Sequence, residues 1–280
     1  MKGETRKLVK KFFHNPLNAI SLCVLGLFVI VALFPGLVAP YDPLKMDGEY
    51  FMSSPVGAHW FGTDQFGRDI LSRIVFGVQN SMMIAVLAVL LAAALGTFLG
   101  VIAGYFGKIV DGVIMRVVDA MFAFPALILA LFIIALFGAS VPNLVVAIGI
   151  VYTPIFARTM RGSTISVKQN LYVVSAKALG KSHLGVIFRE ILPNISSILI
   201  VTFTTNFSTA LLSEASLGFL GLGVPPPTPT LGGLVGEGSR FLLAAPWIAL
   251  FPGGIIALIV LSINIIGDGL RDTLDPRTGK

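Results

Sequence analysis

Charged residues are scarce in this chain of 280 residues, since Asp, Glu, Lys and Arg together make up 12% of it. Soluble globular domains contain about 25%. Hydrophobic residues reach 55%, and the mean hydropathy is +0.90. This composition excludes a soluble globular domain and predicts a protein that crosses the membrane several times.

Cysteine and histidine are rare as well. Cys23 is the single cysteine, which excludes an intramolecular disulfide and a metal site built from cysteines. His14, His59 and His183 lie far apart, without the spacing of paired metal ligands. We therefore predict that the chain itself holds no metal and no cofactor. The hydrolase motifs G-x-S-x-G and H-E-x-x-H are missing, so we also expect no catalytic residues and no enzyme activity.

Long runs without charge divide the sequence. A helix needs about 20 apolar residues to cross a bilayer, and five such runs lie at 12–41, 74–107, 120–157, 191–213 and 241–267. The run 120–157 is too long for one span, and its turn-like cluster GASVPN at 138–143 splits it into two. We predict an all-α polytopic membrane protein with six transmembrane helices, near 17–38, 80–103, 118–138, 143–160, 194–213 and 246–267.

The basic residues are distributed by membrane side. If the N-terminus is cytoplasmic, all but four of the 20 Lys and Arg residues lie on the cytoplasmic side, the exceptions being Lys45, Arg68, Arg73 and Arg240. Basic residues near span ends are retained in the cytoplasm, so we predict that both termini are cytoplasmic. Because the positive charge forms no single basic face, we expect contact with membrane lipid and none with nucleic acid.

This topology predicts four segments. They are a cytoplasmic N-terminal segment (1–16), the first span with an extracytoplasmic loop (17–79), a five-span core (80–270) that includes a cytoplasmic loop (158–193), and a cytoplasmic tail (271–280). Within the core, Ala92, Gly96, Gly100 and Gly104 recur every four residues. Small residues on one helix face predict close packing against another helix, and a pore lining is the alternative.

The basic loop 158–193 is too polar to cross a bilayer, and residues 172–180 read YVVSAKALG. A helical period puts Lys177 and Lys181 on one side and Tyr172 and Leu179 on the other. Gly180 follows, where the missing side chain lets another surface approach. From the pattern alone, a docking surface for a soluble partner and an amphipathic helix lying on the inner membrane surface both stay open.

The loop resembles the cytoplasmic coupling segment of ABC-importer permeases. That segment has the pattern Glu-Ala-Ala, three residues, Gly, nine residues, Ile-x-Leu-Pro. This chain keeps Ala176, Gly180, Leu192 and Pro193 of the pattern. It departs from the pattern at Val174, Ser175 and Glu190.

Nearly the whole chain is similar to the second permease subunit of dipeptide, oligopeptide and nickel importers. The similarity rests on four blocks: APYDP at 39–43, GTDQFGRDILSR at 62–73, LGFLGLGVPPPTP at 217–229 and NIIGDGLRDTLDPR at 264–277. The resemblance implies the MetI-like permease fold of type I ABC importers and a place in the prokaryotic plasma membrane. It also implies import of short peptides, with nickel or another small solute as the alternative. An ion-gradient-driven carrier is a further alternative.

The resemblance also implies partners. They are a homologous permease, two cytoplasmic ABC ATPases that bind ATP and magnesium, and an extracytoplasmic substrate-binding protein. The residues expected to couple this chain to the ATPases are Tyr172, Ala176, Lys177, Leu179, Gly180 and Lys181. The run 180–182, GKS, imitates a phosphate-binding loop, but Ser175 stands where that loop needs Gly, so we expect ATP to bind only in the partners.

The outer block at 62–73 contains charged residues close together. Asp64, Arg68 and Asp69 are expected to form local ion pairs that shape a turn. A cation site is the alternative, although calcium takes 6–8 oxygen ligands and two carboxylates are few.

Two acidic residues lie at the ends of predicted spans. Glu214 closes the run 191–213, and an ionisable group at membrane depth is a candidate for the substrate path. Its alternative is an interfacial position with water or an arginine partner. Asp119 follows Arg116 by three residues, which predicts an ion pair on one helix face.

Overall fold

The computed structural model describes residues 11–274, and regular secondary structure in that range is helical. The helices are α1 (Pro16–Leu33), α2 (Pro35–Val38), α3 (Ile70–Phe106), α4 (Lys108–Phe122), α5 (Ala126–Phe137), α6 (Val141–Lys168), α7 (Leu171–Ala178), α8 (His183–Val186), α9 (Leu192–Phe219), α10 (Leu231–Ser239) and α11 (Trp247–Leu274). A 3₁₀ turn lies at Gly48–Tyr50 and a π-helical turn at Ile187–Ile191.

Five of these helical segments are long and apolar enough to cross a membrane, and a sixth span results if α4 and α5 are counted together. The predicted all-helical, six-span architecture is therefore confirmed. The predicted continuous span 118–138 is wrong, because α4 and α5 meet at an angle of 89°. Pro125 lies at this break, and proline has no N–H with which to continue a helix.

The predicted turn at 138–143 is confirmed. Gly138 ends α5 with φ +83°, a conformation that L side chains disfavour. Ser140 then caps α6 by accepting a hydrogen bond from the Asn143 N–H, and the Asn143 side chain donates to the carbonyl oxygens of Phe137 and Gly138 at 2.8 and 3.0 Å. Side chains and backbone together close the hairpin.

Helices α3 and α6 pack against each other along the predicted stripe of small residues. A Cβ added at Gly96 would lie 2.4 Å from the Cβ of Phe156, and one at Gly100 would lie 2.4 Å from the carbonyl oxygen of Ala157. Gly104 approaches the backbone of α6 in the same way. The stripe thus serves helix packing, since only glycine permits such close approach of two backbones.

Several helices extend beyond the predicted spans. Asp69 caps α3, which begins at Ile70, ten residues before the predicted core boundary at 80. Helix α6 continues to Lys168, so most of the predicted loop 158–193 is helical. The basic residues expected in segments 1–10 and 275–280 lie outside the described residues.

The start of α1 lies beside the end of α11. The Lys11 ammonium donates to the carbonyl oxygen of Asp272 at 2.8 Å, and a Cβ added at Gly269 would lie 2.5 Å from the Asn18 side chain. These contacts define the loop end of the helical bundle, where α3 and α6 also end. The opposite cap end carries residues 39–69 and α10.

Candidate functional site

The coupling segment (residues 169–191) joins α6 to α9 at the loop end. Its helix α7 is anchored by Val173, which is fully buried. Val173 belongs to a small apolar cluster separate from the main core, formed with Val101, Tyr105, Met160, Val186, Ile187, Ile191 and Ile195. The segment is therefore attached to the ends of α3, α6 and α9 by its own core.

Apolar side chains of the coupling segment face away from this cluster. Leu171 and Leu179, at the two ends of α7, are 81% and 88% exposed. Other large apolar side chains exposed here are Tyr172, Val174, Leu184 and Phe188. Exposed apolar side chains gathered in one segment mark a surface that contacts another protein or a membrane. We call this set the exposed apolar patch.

Tyr105, at the end of α3, organises the polar side of the segment. Its hydroxyl group is hydrogen-bonded to His183 Nδ1 at 2.8 Å, and the Lys177 ammonium lies 4.4 Å from the centre of its ring. Lys168 donates to the Tyr105 carbonyl oxygen. Burial and the nearby Lys168 ammonium both lower the pKa of Lys177. Tyr105 thus contacts α7 through its ring, α8 through its hydroxyl group and the end of α6 through its carbonyl oxygen.

Gly180 ends α7 in a Schellman motif. Its φ is +78°, the Gly180 N–H donates to the Lys177 carbonyl at 3.0 Å, and the Lys181 N–H donates to the Ala176 carbonyl at 3.1 Å. Glycine is favoured here by the backbone conformation. An added Cβ would meet nothing within 4 Å, so space for a neighbouring surface lies open beside it.

The segment joins α9 through a π-helical turn. Lys181 forms an ion pair with Glu190, which lies within the turn Ile187–Ile191. The Asn194 side chain donates to the Glu190 carbonyl oxygen at 2.6 Å. Single π turns in helices are frequent at functional sites. Helical structure is nevertheless continuous from His183 to Phe219, so the second part of the coupling segment, which begins at His183, forms one long element with α9.

Two ion pairs connect α4 to α6 near the loop end. The structure pairs Asp119 with Arg158 at 2.7 Å, so the predicted pairing of Asp119 with Arg116 is wrong. The reason is the position of Arg158, whose guanidinium group also lies 4.1 Å from the Phe122 ring centre. Arg161 forms the second pair, with Asp111.

The cap end contains a buried ion-pair cluster. Asp64 accepts from Arg68 Nε and from Arg73 Nη1, both at 2.6 Å, and its second oxygen accepts two backbone N–H groups. Glu237 of α10 accepts from Arg73 at 2.9 Å. The expected local ion pairs are present, and the carboxylate oxygens of Asp64 are occupied by guanidinium and backbone donors.

Asp69 has a separate role in the same block. It caps α3 by accepting from the Ser72 N–H and hydroxyl, both at 2.7 Å, and contacts His59 Nδ1 at 2.9 Å. Gly67, with φ +72°, lies so close to Asp47 that an added Cβ would sit 1.7 Å from its carbonyl oxygen. The block at 62–73 is therefore a compact cap on α3.

Glu214 lies inside α9 towards the cap end and is completely buried. Neither carboxyl oxygen has a hydrogen-bond partner, and the polar side chains beside it are those of Ser81 and Thr230. Access of a solute to this carboxyl would require α9 and α10 to separate. The structure therefore does not pair Glu214 with an arginine, which was one of the alternatives predicted from the sequence.

The six predicted coupling residues all lie in one segment but differ in exposure. Tyr172, Leu179 and Gly180 are exposed, whereas Ala176 and Lys177 are half-buried towards the bundle and Lys181 pairs with Glu190. Their role in docking stays a prediction. The sequence interpretation missed Tyr105, Val173 and Glu237. A tyrosine at a span end and a lone acid in the glycine-rich run 231–239 were the available signals.

Comparisons with known proteins agree on one family of transport proteins. Residues 96–280 match the family described as binding-protein-dependent transport system inner membrane component. Residues 5–55 match the N-terminal TM domain of oligopeptide transport permease C.

Curated relatives align along almost the whole chain. The dipeptide transport system permease protein DppC of Alkalihalophilus pseudofirmus is 42% identical over 97% of this chain and 90% of its own length. The glutathione transport system permease proteins GsiD of Escherichia coli O1:K1 and of Shigella flexneri serotype 5b are each 42% identical, over 96% of this chain and 89% of theirs.

A solved structure shares the fold. A chain of the MetNI methionine ABC transporter, in an inward-facing conformation, superposes with a TM-score of 0.60 at 17% identity. The superposition covers 74% of this chain and 98% of that chain. The all-helical architecture is thus that of a type I importer permease.

Proposed function

The chain belongs to the family of binding-protein-dependent transport system inner membrane components, as a DppC/OppC-like ABC permease, and we propose that it forms half of the translocation pathway of a peptide importer. The chain's own work is mechanical, and we propose that ATP is hydrolysed in partner subunits. The predicted permease function and the absence of enzyme activity agree with the transport permeases to which it is similar.

The observation that carries this proposal is the contrast within the coupling segment. One side is fixed to the bundle by Val173 and by the contacts of Tyr105, while Leu171 and Leu179 are exposed on the other. A rigid base under an exposed apolar surface is suited to receive a partner and to transmit its movement. An ABC ATPase at the exposed apolar patch fits both properties.

We propose a docking place for each soluble partner at one of the two ends of the bundle. We propose that two ABC ATPases, with ATP and magnesium, act at the loop end and that this end and both termini are cytoplasmic, because basic residues of the coupling segment gather there. A homologous permease completes the pathway. The cap end exposes Met46, Phe51 and Trp60, and we propose that the substrate-binding protein docks there. The membrane is then the prokaryotic plasma membrane.

Short peptides are the proposed substrate. The relatives are named for dipeptide and glutathione transport, and glutathione is itself a small peptide. Import of nickel or another small solute is the alternative within the same family.

The test is expression of the chain with its native neighbours, purification in mild detergent, and uptake by vesicles with and without ATP. We expect co-purification of a second permease and ATPases, and ATP-dependent uptake of a labelled dipeptide. Labelled glutathione and nickel ions, measured in parallel, identify the alternative substrates. A chain that purifies alone and moves solute on an ion gradient contradicts the proposal.

A further inference from the structure

Helix α10 is held against the outer part of α3 at both ends. At its start, the Leu231 N–H donates to Ser81 Oγ at 3.0 Å, and Asn80 donates to the Pro229 carbonyl oxygen at 2.7 Å. At its end, Glu237 pairs with Arg73 at 2.9 Å. Because Arg73 precedes Ser81 by about two helical turns, α10 lies antiparallel to α3.

Helix α10 also packs closely against α9, backbone against backbone. A Cβ added at Gly232 would lie 2.2 Å from the Ala215 carbonyl oxygen, and one at Gly236 would lie 2.9 Å from that of Phe219. The two backbones are therefore in contact at two points about one turn of α10 apart. Glycine-mediated contacts of this kind leave little freedom for sliding, since interiors are close-packed.

Glu214 lies where α3, α9 and α10 meet, one residue before the contact at Ala215. The hydroxyl oxygens of Ser81 and Thr230 accept the Leu231 and Gly233 N–H groups at 3.0 and 3.2 Å. Each hydroxyl group therefore has its own proton left to donate. The Glu214 carboxyl is the unpartnered buried acceptor beside both hydroxyls.

A buried carboxyl group is costly unless it has donors, so its presence at a helix junction calls for a role. The N-terminal end of α10 adds favourable N–H dipoles to the two hydroxyl groups. Glu214 can thus fix α10 with respect to both α3 and α9. The Glu214 side chain has no solvent-accessible area, so this role differs from direct contact with a solute.

Helix α9 connects this junction to the coupling segment. The helical element from His183 to Phe219 has 37 residues, about 55 Å at 1.5 Å per residue. Its first turns, from His183 to Ile191, are the second part of the coupling segment, and its last turns carry Glu214 and the α10 contact. Helix α10 in turn holds the buried ion-pair cluster of the cap through Glu237. A continuous path of rigid contacts therefore links the two ends of the bundle.

We propose that Glu214 is a positioning residue that locks α10 to α9, so that movement of the coupling segment reaches the outer cap and the binding of the substrate-binding protein reaches the ATPases. The inference rests on the proposed function, and it adds the residue by which the two ends communicate.

The test uses the whole importer reconstituted in liposomes with its binding protein and peptide. Glu214→Leu removes the acceptor, and Glu214→Gln keeps one acceptor oxygen. Ser81→Ala removes from α3 both a hydroxyl group beside Glu214 and the acceptor of the Leu231 N–H. Ser216→Ala is the control, because the Ser216 hydroxyl bonds only within its own helix, to the Leu212 carbonyl. The readouts are complex assembly, basal ATP hydrolysis, stimulation of hydrolysis by the loaded binding protein, and uptake.

We expect Glu214→Leu to assemble and keep basal hydrolysis, while stimulation and uptake fall about tenfold. Ser81→Ala should lower both about threefold, because it removes the acceptor of the Leu231 N–H and a hydroxyl neighbour of Glu214. Glu214→Gln should keep more than half of the stimulation. Spin labels at Leu220 and Ser239, with Cys23 replaced, should show a broader distance distribution in Glu214→Leu than in the native chain.

Three results would overturn the inference. The first is native-like stimulation in every variant. The second is loss of uptake in Glu214→Gln as well as Glu214→Leu with an unchanged spin-label distance, which would assign the carboxyl to the solute. The third concerns the case in which Glu214→Leu fails to assemble. Native-like stimulation and uptake in Ser81→Ala would then overturn the inference. Failure of the proposed function is distinct, because the native complex would then show no ATP-dependent peptide uptake.

Discussion

Arg73 and Asp64 form an ion pair at 2.6 Å although their side chains are only 1% and 0% exposed. The pair joins the first turn of α3 to the cap, and Glu237 adds a second carboxylate from α10 to the same guanidinium group. Removing two charges from water is expensive, and here the cost is offset by several charge-assisted hydrogen bonds. The cluster is thus the junction of three parts of the chain.

The first prediction concerns this cluster. Asp64→Asn leaves Arg68 and Arg73 buried with one carboxylate fewer, and breaking a buried pair costs about 3–5 kcal/mol. We expect a lower melting temperature of the purified protein, measured by size-exclusion recovery after heating. Asp42→Asn is the matched control, because Asp42 is exposed and caps the Leu44 N–H through an oxygen that Asn also has. Equal melting temperatures for both variants would contradict the role of the cluster.

The second prediction concerns helix packing. Gly100→Ala places a Cβ 2.4 Å from the Ala157 carbonyl oxygen, and overpacking costs about 1–3 kcal/mol. The variant should lose thermal stability and yield in detergent. Gly26→Ala meets nothing within 4 Å and should lose neither. A Gly100→Ala protein as stable as Gly26→Ala would show that α3 and α6 are not so closely packed in the membrane.

The third prediction separates backbone from bulk at Gly180. Gly180→Trp puts a large side chain at the open edge of the exposed apolar patch and should block co-purification of the ATPases and uptake. Gly180→Asn should preserve both, because asparagine tolerates the left-handed conformation. If the tryptophan variant retains its ATPases and its uptake, the docking surface lies elsewhere.

The fourth prediction compares exposed leucines at opposite ends. Leu179→Glu should reduce ATPase co-purification about tenfold, as for a central interface residue, with little effect on the stability of the isolated chain, since Leu179 is exposed. Leu243→Glu changes a fully exposed leucine at the cap end and should leave ATPase binding unchanged. Quantitative blotting of the purified complexes measures both, and equal losses would argue against a specific surface.

Much of the fold follows from the sequence because its signals are local. Charge-free runs indicate the spans, the cluster at 138–143 has the residues of a tight turn, and small residues every four positions indicate the α3–α6 contact. The similarity of four sequence blocks to peptide-importer permeases predicted the family. The break between α4 and α5 also has a local signal, Pro125, but the surrounding apolar run concealed it.

The remaining features depend on residues far apart in the chain. Arg73 was expected in the extracytoplasmic loop, yet Glu237, 164 residues away, allows it to be buried within α3. Asp119 forms its ion pair with Arg158 of the neighbouring helix α6, and not with Arg116 of its own helix. Tyr105 gains its role only when α3 ends beside the coupling segment. No pattern of neighbouring residues predicts such pairings.

The length of α3 has a consequence for the membrane environment. Its 37 residues span about 55 Å, whereas the hydrocarbon layer is about 30 Å thick. The distance between the cap and the coupling segment is therefore set by an unbroken helix and not by the lipid. A bilayer that thins or thickens by a few ångströms changes how much of each end is immersed and leaves the spacing of the two working surfaces constant.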